Sequence, residues 1–230
     1  IAFDSSDTDF TKTPNSFPGK LLAFLKARYD YFKGDMTKGL EIIPCELIDH
    51  NGDTLKEILI ELAQHNHMDA SFIQWITDAN RYYNTLVDRI VPGYPRNEDK
   101  ELWNQLGYID QNMVVGEIFH LWVIDGKTVK ELEKKLPTQK ANLNVLFVDS
   151  IKPYKERKVK ILNGSHTCLV PVSYLAGIDT VRETIEDKQL KKYVLDFIFN
   201  EVVPTIRIPR DQMDSYANSV LERYGNPFVR

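Results

Sequence analysis

Three polar side chains in one segment of this 230-residue sequence have the types and the spacing to act together on a carbonyl group. Lys158, Asn163 and His166 are separated by five and three positions. On an α-helix, at about 100° per residue, Asn163 lies about 60° and Lys158 about 80° from His166. A lysine whose pKa is lowered by burial can exchange a proton with an alcohol, and an amide and an imidazole can polarise a carbonyl oxygen. The spacing therefore predicts a site for reversible carbonyl reduction.

Each member of this trio also has a plainer structural interpretation. Lysine, asparagine and histidine on a helix are usually surface or capping residues. The apolar residues 168–170 follow His166 closely, which favours a histidine that is buried and hydrogen-bonded in the core. The spacing alone leaves both interpretations open.

The composition excludes several other kinds of protein. The sequence has 29 basic and 33 acidic residues, a net charge of −4, so no basic excess is present to neutralise phosphates, and we expect no nucleic-acid partner. Apolar residues make up 43% of the chain, enough to bury a core. No apolar run approaches the roughly 18–20 residues of a membrane helix, and we expect no membrane partner.

The potential metal ligands are few and badly spaced. Two cysteines cannot form a disulfide framework or a four-thiolate zinc site. His65 and His67 are two positions apart and point about 200° apart on a helix. Neither His-Glu-x-x-His nor Cys-x-x-Cys occurs in the sequence. We therefore predict no metal site.

The elements that must position the trio follow from turn residues and apolar periodicity. A helix begins at Pro18-Gly19 after a polar loop, and an apolar run at 40–48 predicts a short buried strand. Asn51-Gly52 indicates a turn, after which Asp53-Thr54 can cap a second helix. A third helix is predicted over 70–82.

Further along the chain the pattern changes. The remaining predicted strands are short and apolar: 85–91, 121–124 and 146–148. Alternating strands and helices in the first part predict the end of an α/β domain with a parallel sheet, and the chain from about residue 155 onward is almost wholly helical. We expect two domains, 1–95 and 96–230.

Four segments carry a family resemblance. Arg157–Thr167, with its Lys-x-x-x-x-Asn-x-x-His pattern, resembles the signature of the mannitol dehydrogenase family of long-chain, metal-independent polyol and sugar-acid dehydrogenases. Asn84–Ile90 resembles the family segment Asn-Ser/Thr-Met/Leu-Val-Asp-Arg-Ile. Ser16–Leu21, and Ile43–Ile48 with Asn51-Gly52, are similar to the branch that reduces tagaturonate to altronate. The similarity runs across essentially the whole chain.

The resemblance implies a fold and an activity. Members bind NAD(H) in a Rossmann-type domain and carry a mostly helical second domain like the C-terminal domain of 6-phosphogluconate dehydrogenase. Residues 1–95 would be the C-terminal part of the cofactor domain, and 96–230 the helical catalytic domain. The implied reaction is hydride transfer between NADH and the ketone of a small sugar acid, without a metal. Fructuronate reduction, mannitol oxidation and a non-catalytic helical binding module are the alternatives.

The resemblance also assigns roles to residues. Lys158 would be the general acid/base, and Asn163 and His166 would orient and polarise the substrate oxygen. Asn84 would be a further substrate contact, with a turn residue as its alternative. Asp125 stands where many members have the glutamate of a Trp-Val-Ile-Glu run, one methylene longer, and is the second candidate for substrate binding.

Two departures from the family pattern bear on completeness. The glycine-rich Gly-x-Gly-x-x-Gly fingerprint that binds the pyrophosphate is absent, and the chain stops at Arg230, before the basic residues with which the family continues. We therefore expect a fragment that binds NADH poorly on its own. The resemblance implies a cytoplasmic enzyme and leaves its oligomeric state open.

Four other polar residues are interpreted as structural. Asp88 and Arg89 are adjacent in the segment that resembles the family, and we interpret them as a structural ion pair. Cys45 and Cys168 are predicted to be buried packing thiols.

Overall fold

A computed structural model describes residues 14–226 and divides the chain into two compact units. The first unit comprises residues up to 87 together with 121–151, and the second comprises 88–120 together with the chain from 152 onward. The chain therefore leaves the first unit, returns to it and leaves it again. The predicted boundary after residue 95 falls inside the segment 88–120. Most of the predicted N-terminal loop, up to residue 13, lies outside the described residues.

The secondary structure is mostly helical. The α-helices are α1 (Phe17–Tyr31), α2 (Asn51–His65), α3 (Ala70–Asp78), α4 (Asp99–Leu106), α5 (Val129–Lys135), α6 (Lys152–Arg157), α7 (Gly164–Leu175), α8 (Val181–Glu186), α9 (Lys188–Asp196) and α10 (Arg210–Tyr224). The strands are β1 (Glu41–Ile42), β2 (Arg81–Tyr82), β3 (Asn84–Asp88), β4 (Leu121–Asp125) and β5 (Val145–Val148). Two π-helical turns, Lys158–Asn163 and Phe197–Val202, follow α6 and α9 directly.

The first unit combines parallel strands with packed helices. β1 pairs with β2 in parallel, with Glu41 opposite Arg81, and a second sheet has the order β3-β4-β5 with β4 and β5 parallel. α1 begins as predicted, because Ser16 accepts a hydrogen bond from the Gly19 N–H and Pro18 occupies the first turn. Fully buried side chains of α1, α2 and α3, among them Leu22 and Trp75, form the core.

Two predicted elements are shorter in the structure, each because side chains take over backbone groups. The strand predicted over 40–48 ends at Ile42, since the Asn51 amide donates to the carbonyl oxygens of Pro44 and Glu46. The helix predicted over 70–82 ends at Asp78, because the Asn80 amide donates to carbonyls in its last turn and the next residues pair with β1.

The second unit is helical around one apolar core. Its buried members include Ile161, Leu169, Ile198, Met213 and Val220, which come from the two π turns, α7 and α10. The helical prediction beyond residue 155 is confirmed, but the two π turns within it were not predicted. Within residues 14–226, no helix combines the length and the apolar character needed to cross a membrane.

A buried ion cluster lies in the second unit. Arg223 forms ion pairs with Asp88 and Glu117, each at 2.8 Å, and the Tyr216 hydroxyl donates to Asp88 at 2.8 Å. Arg89 instead donates from Nε to the backbone carbonyl of Glu117. The predicted pairing of Asp88 with Arg89 is therefore wrong, because Asp88 takes its cation from the far end of the chain.

Candidate functional site

Lys158 and Asn163 are the first and last residues of the π turn that joins α6 to α7. The N–H of Gly164 reaches the carbonyl of Val159, five residues earlier. Residues five apart on an α-helix point about 140° apart, whereas i→i+5 bonding widens the turn and brings them closer to one side. The prediction from spacing assumes a straight α-helix. The π turn instead brings the side chains of Lys158 and Asn163 closer to one side of the helix.

The imidazole of the trio is accessible rather than buried. His166 lies in the first turn of α7 and is exposed, as is Asn163, whereas Lys158 is half-buried. Asn163 and His166 are three positions apart on α-helical backbone, so they project to the same side, about 60° apart. The interpretation of His166 as a core histidine is therefore wrong. An amide and an imidazole that face solvent from one side of a helix are available to a ligand.

Two buried hydroxyl groups support this helix from inside the second unit. Ser165 Oγ donates to the carbonyl of Ile161 at 2.5 Å, and Tyr224 Oη donates to the carbonyl of Leu162 at 2.7 Å. The two hydroxyl oxygens lie 2.8 Å apart. Sequence reasoning missed both residues, although Ser165 lies inside the motif and a small polar residue on an apolar helix face is a usable signal.

Asn84 begins β3 and is almost wholly buried, with 9% of its surface exposed. Its Oδ1 accepts from the backbone N–H groups of Gly52 and Asp53, at 3.0 and 3.1 Å, and its Nδ2 donates to the Asp53 carboxylate. Asn84 therefore caps α2, because His50 at the N-cap position makes no side-chain cap bond and the predicted caps Asp53-Thr54 lie inside the helix. The alternative interpretation of Asn84 as a structural residue at a turn is therefore supported, whereas no contact among the described residues tests its role in substrate binding.

Asn51 and Gly52, which the sequence predicts as a turn, are instead the first two residues of α2, and they pack against the start of β3. Asn51 Oδ1 accepts from the Thr85 N–H at 2.8 Å and its Nδ2 donates to Thr85 Oγ1 at 3.0 Å. A Cβ atom on Gly52 would lie 2.2 Å from the carbonyl oxygen of Tyr83, so only glycine fits there. These contacts fix the backbone on both sides of Asn84.

Asp125 ends β4, and one of its carboxylate oxygens is already used. Its Oδ2 accepts from the backbone N–H of Ile151 at 2.7 Å. The next residue, Gly126, approaches the Tyr83 ring so closely that a Cβ would lie 2.8 Å from Cδ1. Tyr83 directly precedes Asn84, and Gly126 directly follows Asp125. The two predicted substrate contacts, Asn84 and Asp125, are therefore each next in sequence to a residue of one packing contact within the first unit. Lys158, Asn163 and His166 belong to the second unit.

The cysteines and possible metal ligands form no site in the part of the chain that the structure describes. Cys45 is exposed, so its interpretation as a buried thiol is wrong, and Cys168 is half-buried with its Sγ 2.8 Å from the Tyr193 hydroxyl. Between residues 14 and 226, no three His, Cys, Asp or Glu side chains are grouped so that they could hold a metal ion.

Two family models together match nearly the whole chain. Residues 5–138 match the mannitol dehydrogenase Rossmann domain, and residues 150–230 match the mannitol dehydrogenase C-terminal domain. Similar curated proteins are the altronate oxidoreductases of Yersinia enterocolitica, at 47% identity, and of Enterobacter sp. and Escherichia coli, each at 48%. Each alignment covers 100% of this chain and 47% of the relative. The chain therefore spans about half the length of the curated relatives it matches.

Solved structures agree with these matches. A D-sorbitol dehydrogenase in substrate-free form is 26% identical with a TM-score of 0.74, over 96% of this chain and 44% of its own. The Pseudomonas fluorescens mannitol 2-dehydrogenase, solved as a ternary complex with NAD and D-mannitol, is 24% identical with a TM-score of 0.69, over 96% and 43%. The predicted fold, a Rossmann-type domain followed by a mostly helical one, is confirmed.

Proposed function

The chain belongs to the mannitol dehydrogenase family, and from this premise we propose that it is part of an NAD-dependent oxidoreductase that reduces the keto-hexuronate tagaturonate to altronate, reversibly. The observation that carries the proposal is the continuous helical stretch from Lys158 to His166, which bears an amine and an amide on the π turn and an imidazole on the first turn of α7. The choice of sugar acid is supported by similarity to altronate oxidoreductases over the whole chain.

The described residues fit one side of a dinucleotide site. β1 and β2 are parallel, and the α2 N-terminus and Asn84 follow their carboxyl ends, where α/β sheets bind nucleotides. The first N–H groups of α2 are already bonded to Asn84, so this helix end does not provide a pyrophosphate cradle. NADH, when bound, supplies the hydride.

The residues of this chain act on the substrate oxygen. In reduction the carbonyl carbon gains a hydride and its oxygen gains a proton. Lys158 donates that proton and takes it back in the reverse direction. Asn163 and His166 donate hydrogen bonds to the same oxygen, where negative charge develops. Asn84 and Asp125, which lie in the first unit, stay candidates for substrate binding.

The test replaces the proposed general acid/base in a protein that contains this chain at the full length of its relatives. Lys158→Ala should lower kcat for NADH-dependent tagaturonate reduction by about 10²-fold or more. Lys160→Ala is the matched control, because Lys160 is a lysine of the same π turn that lies outside the Lys-x-x-x-x-Asn-x-x-His pattern, and it should keep its activity. Turnover within a few-fold of the unmodified protein for Lys158→Ala would support the non-catalytic helical module instead.

A substrate panel tests the alternatives within the same chemistry. Tagaturonate and fructuronate carry a carboxylate and mannitol does not. If kcat/KM is highest for fructuronate or for mannitol, that compound is the substrate and tagaturonate is not.

The division into domains 1–95 and 96–230 and the cytoplasmic location stay predictions.

A further inference from the structure

The backbone changes its hydrogen-bonding pattern at the point where the proposed catalytic residues lie. The π turn ends at Asn163 and α7 begins at Gly164. Where i→i+5 bonding gives way to i→i+4 bonding in one continuous helix, the hydrogen-bond ladder is irregular, and here the Gly164 N–H is shared between the carbonyls of Val159 and Ile161. Buried carbonyls need donors, and side chains can supply them.

Ser165 and Tyr224 supply donors at this junction. They bond to the carbonyls of Ile161 and Leu162, and Leu162 directly precedes Asn163. Ser165 is completely buried and Tyr224 is 4% exposed, so water does not compete for these bonds. Burial raises the pKa of Tyr224 to about 12, which keeps its hydroxyl protonated at neutral pH.

Tyr224 also contacts the third member of the trio. Its ring centroid lies 6.4 Å from that of His166, with the planes tilted by 58°. One side chain near the end of α10 thus touches the carbonyl before Asn163, the hydroxyl of Ser165 and the ring of His166.

We propose that Tyr224 and Ser165 are positioning residues of the reaction, which fix the π turn so that the side chains of Lys158, Asn163 and His166 converge on the substrate oxygen. This inference rests on the proposed function. A displacement of about 1 Å in a catalytic group can lower the rate by about 10²-fold, so the loss of either hydroxyl should be visible in turnover.

The experiment removes single hydroxyl groups in the same full-length protein. Tyr224→Phe and Ser165→Ala should each lower kcat by about 10- to 100-fold and leave the KM for NADH within about twofold. Both should also displace the limb of the kcat–pH profile that depends on Lys158, because the amine would sit in a changed position. A purely structural role would not move this limb.

Two matched variants lose a buried hydroxyl elsewhere on the same helices. Tyr216, also on α10, donates to Asp88 at 2.8 Å, and Tyr216→Phe keeps the ring that packs 4.3 Å below Arg157. Ser173, also on α7, donates to the carbonyl of Leu169 at 2.8 Å. Tyr216→Phe and Ser173→Ala should lower the free energy of unfolding as much as the test variants do, with unchanged kcat and pH profile.

The outcomes separate the inference from the function on which it rests. If Lys158→Ala abolishes turnover while Tyr224→Phe and Ser165→Ala keep kcat within about threefold, the inference is overturned and the proposed function stands. It is also overturned if test and control variants lose kcat equally. Unchanged turnover in Lys158→Ala overturns both.

Discussion

Removal of the buried arginine should be among the most damaging single substitutions in the second unit. Arg223 is 6% exposed and donates four hydrogen bonds, two to Asp88 at 2.8 and 3.2 Å and two to Glu117 at 2.8 and 3.0 Å. Both carboxylates are only 2% exposed. Burial lowers the pKa of Arg223, but these two carboxylates outweigh it and raise the pKa above its usual range. Arg223→Leu would remove the one side chain that donates hydrogen bonds to both buried carboxylates in the described structure.

The expected loss follows from that geometry. Removing one partner of a buried ion pair costs about 3–5 kcal/mol, a large part of the roughly 5–15 kcal/mol that stabilises a typical domain. Arg223→Leu should therefore lower the free energy of unfolding by about 3–5 kcal/mol at neutral pH.

Urea denaturation followed by circular dichroism measures this loss. Arg210→Leu is the control on the same helix, because Arg210 makes only an exposed pair with Asp214 and should cost at most about 0.5 kcal/mol. Neutralising both acids in the Arg223→Leu background, with Asp88→Asn and Glu117→Gln, should recover much of the loss. A deficit below about 1 kcal/mol would refute the reasoning. If Arg223→Leu fails to fold, Arg223→Lys provides the milder comparison.

Two further substitutions test contacts in the first unit. Gly52→Ala should lower the free energy of unfolding by about 2 kcal/mol or more, because its Cβ would lie 2.2 Å from the Tyr83 carbonyl oxygen. The control Gly225→Ala, where the nearest atom would be 3.5 Å from the Cβ, should change the free energy of unfolding by less than about 0.5 kcal/mol. Equal effects of the two variants in thermal melts would contradict this. Burial raises the pKa of Glu41, but hydrogen bonds from Lys135 and Tyr83 outweigh burial, and the net effect is a lowered pKa. The ionised carboxylate therefore stabilises the fold above its unfolded-state pKa, and this stabilisation is lost as the pH falls. Glu41→Gln should therefore cost about 1 kcal/mol in urea melts at pH 7 and little at pH 3, and a loss that is the same at both would argue against it.

Local pattern was enough to find most of the elements. α1 begins next to the Pro18-Gly19 pair that predicts it, and the strands at 121–124 and 146–148 lie where their apolar runs indicate. Their place in the fold could not be read in the same way. These strands return to the first unit after the excursion 88–120, and apolar periodicity carries no information about which distant segments pair.

The candidate site could also be predicted from the sequence only in part. The types and spacing of Lys158, Asn163 and His166 could be identified from the sequence, and their family resemblance gave them roles. The π turn could not be identified, because six residues are too few to show a period, and the Tyr224 hydroxyl that bonds the Leu162 carbonyl lies 62 positions away. The interpretation of His166 as a core residue is wrong because the apolar residues that follow it on the helix point in other directions.

The buried ion cluster also has a consequence for the order in which the chain can fold during synthesis. Asp88 and Arg223 are 135 positions apart, and the segment 121–151 between them belongs to the other unit. On the ribosome, all described residues of the first unit have emerged once residue 151 has been synthesised and has left the exit tunnel. Asp88 and Glu117, by contrast, can form their ion pairs only after Arg223, near the end of α10, has emerged. Closing so long a loop is slow, and until then the second unit exposes apolar helices without their last partner. The second unit should therefore be the late-folding part of this chain, and the part most dependent on protection from aggregation.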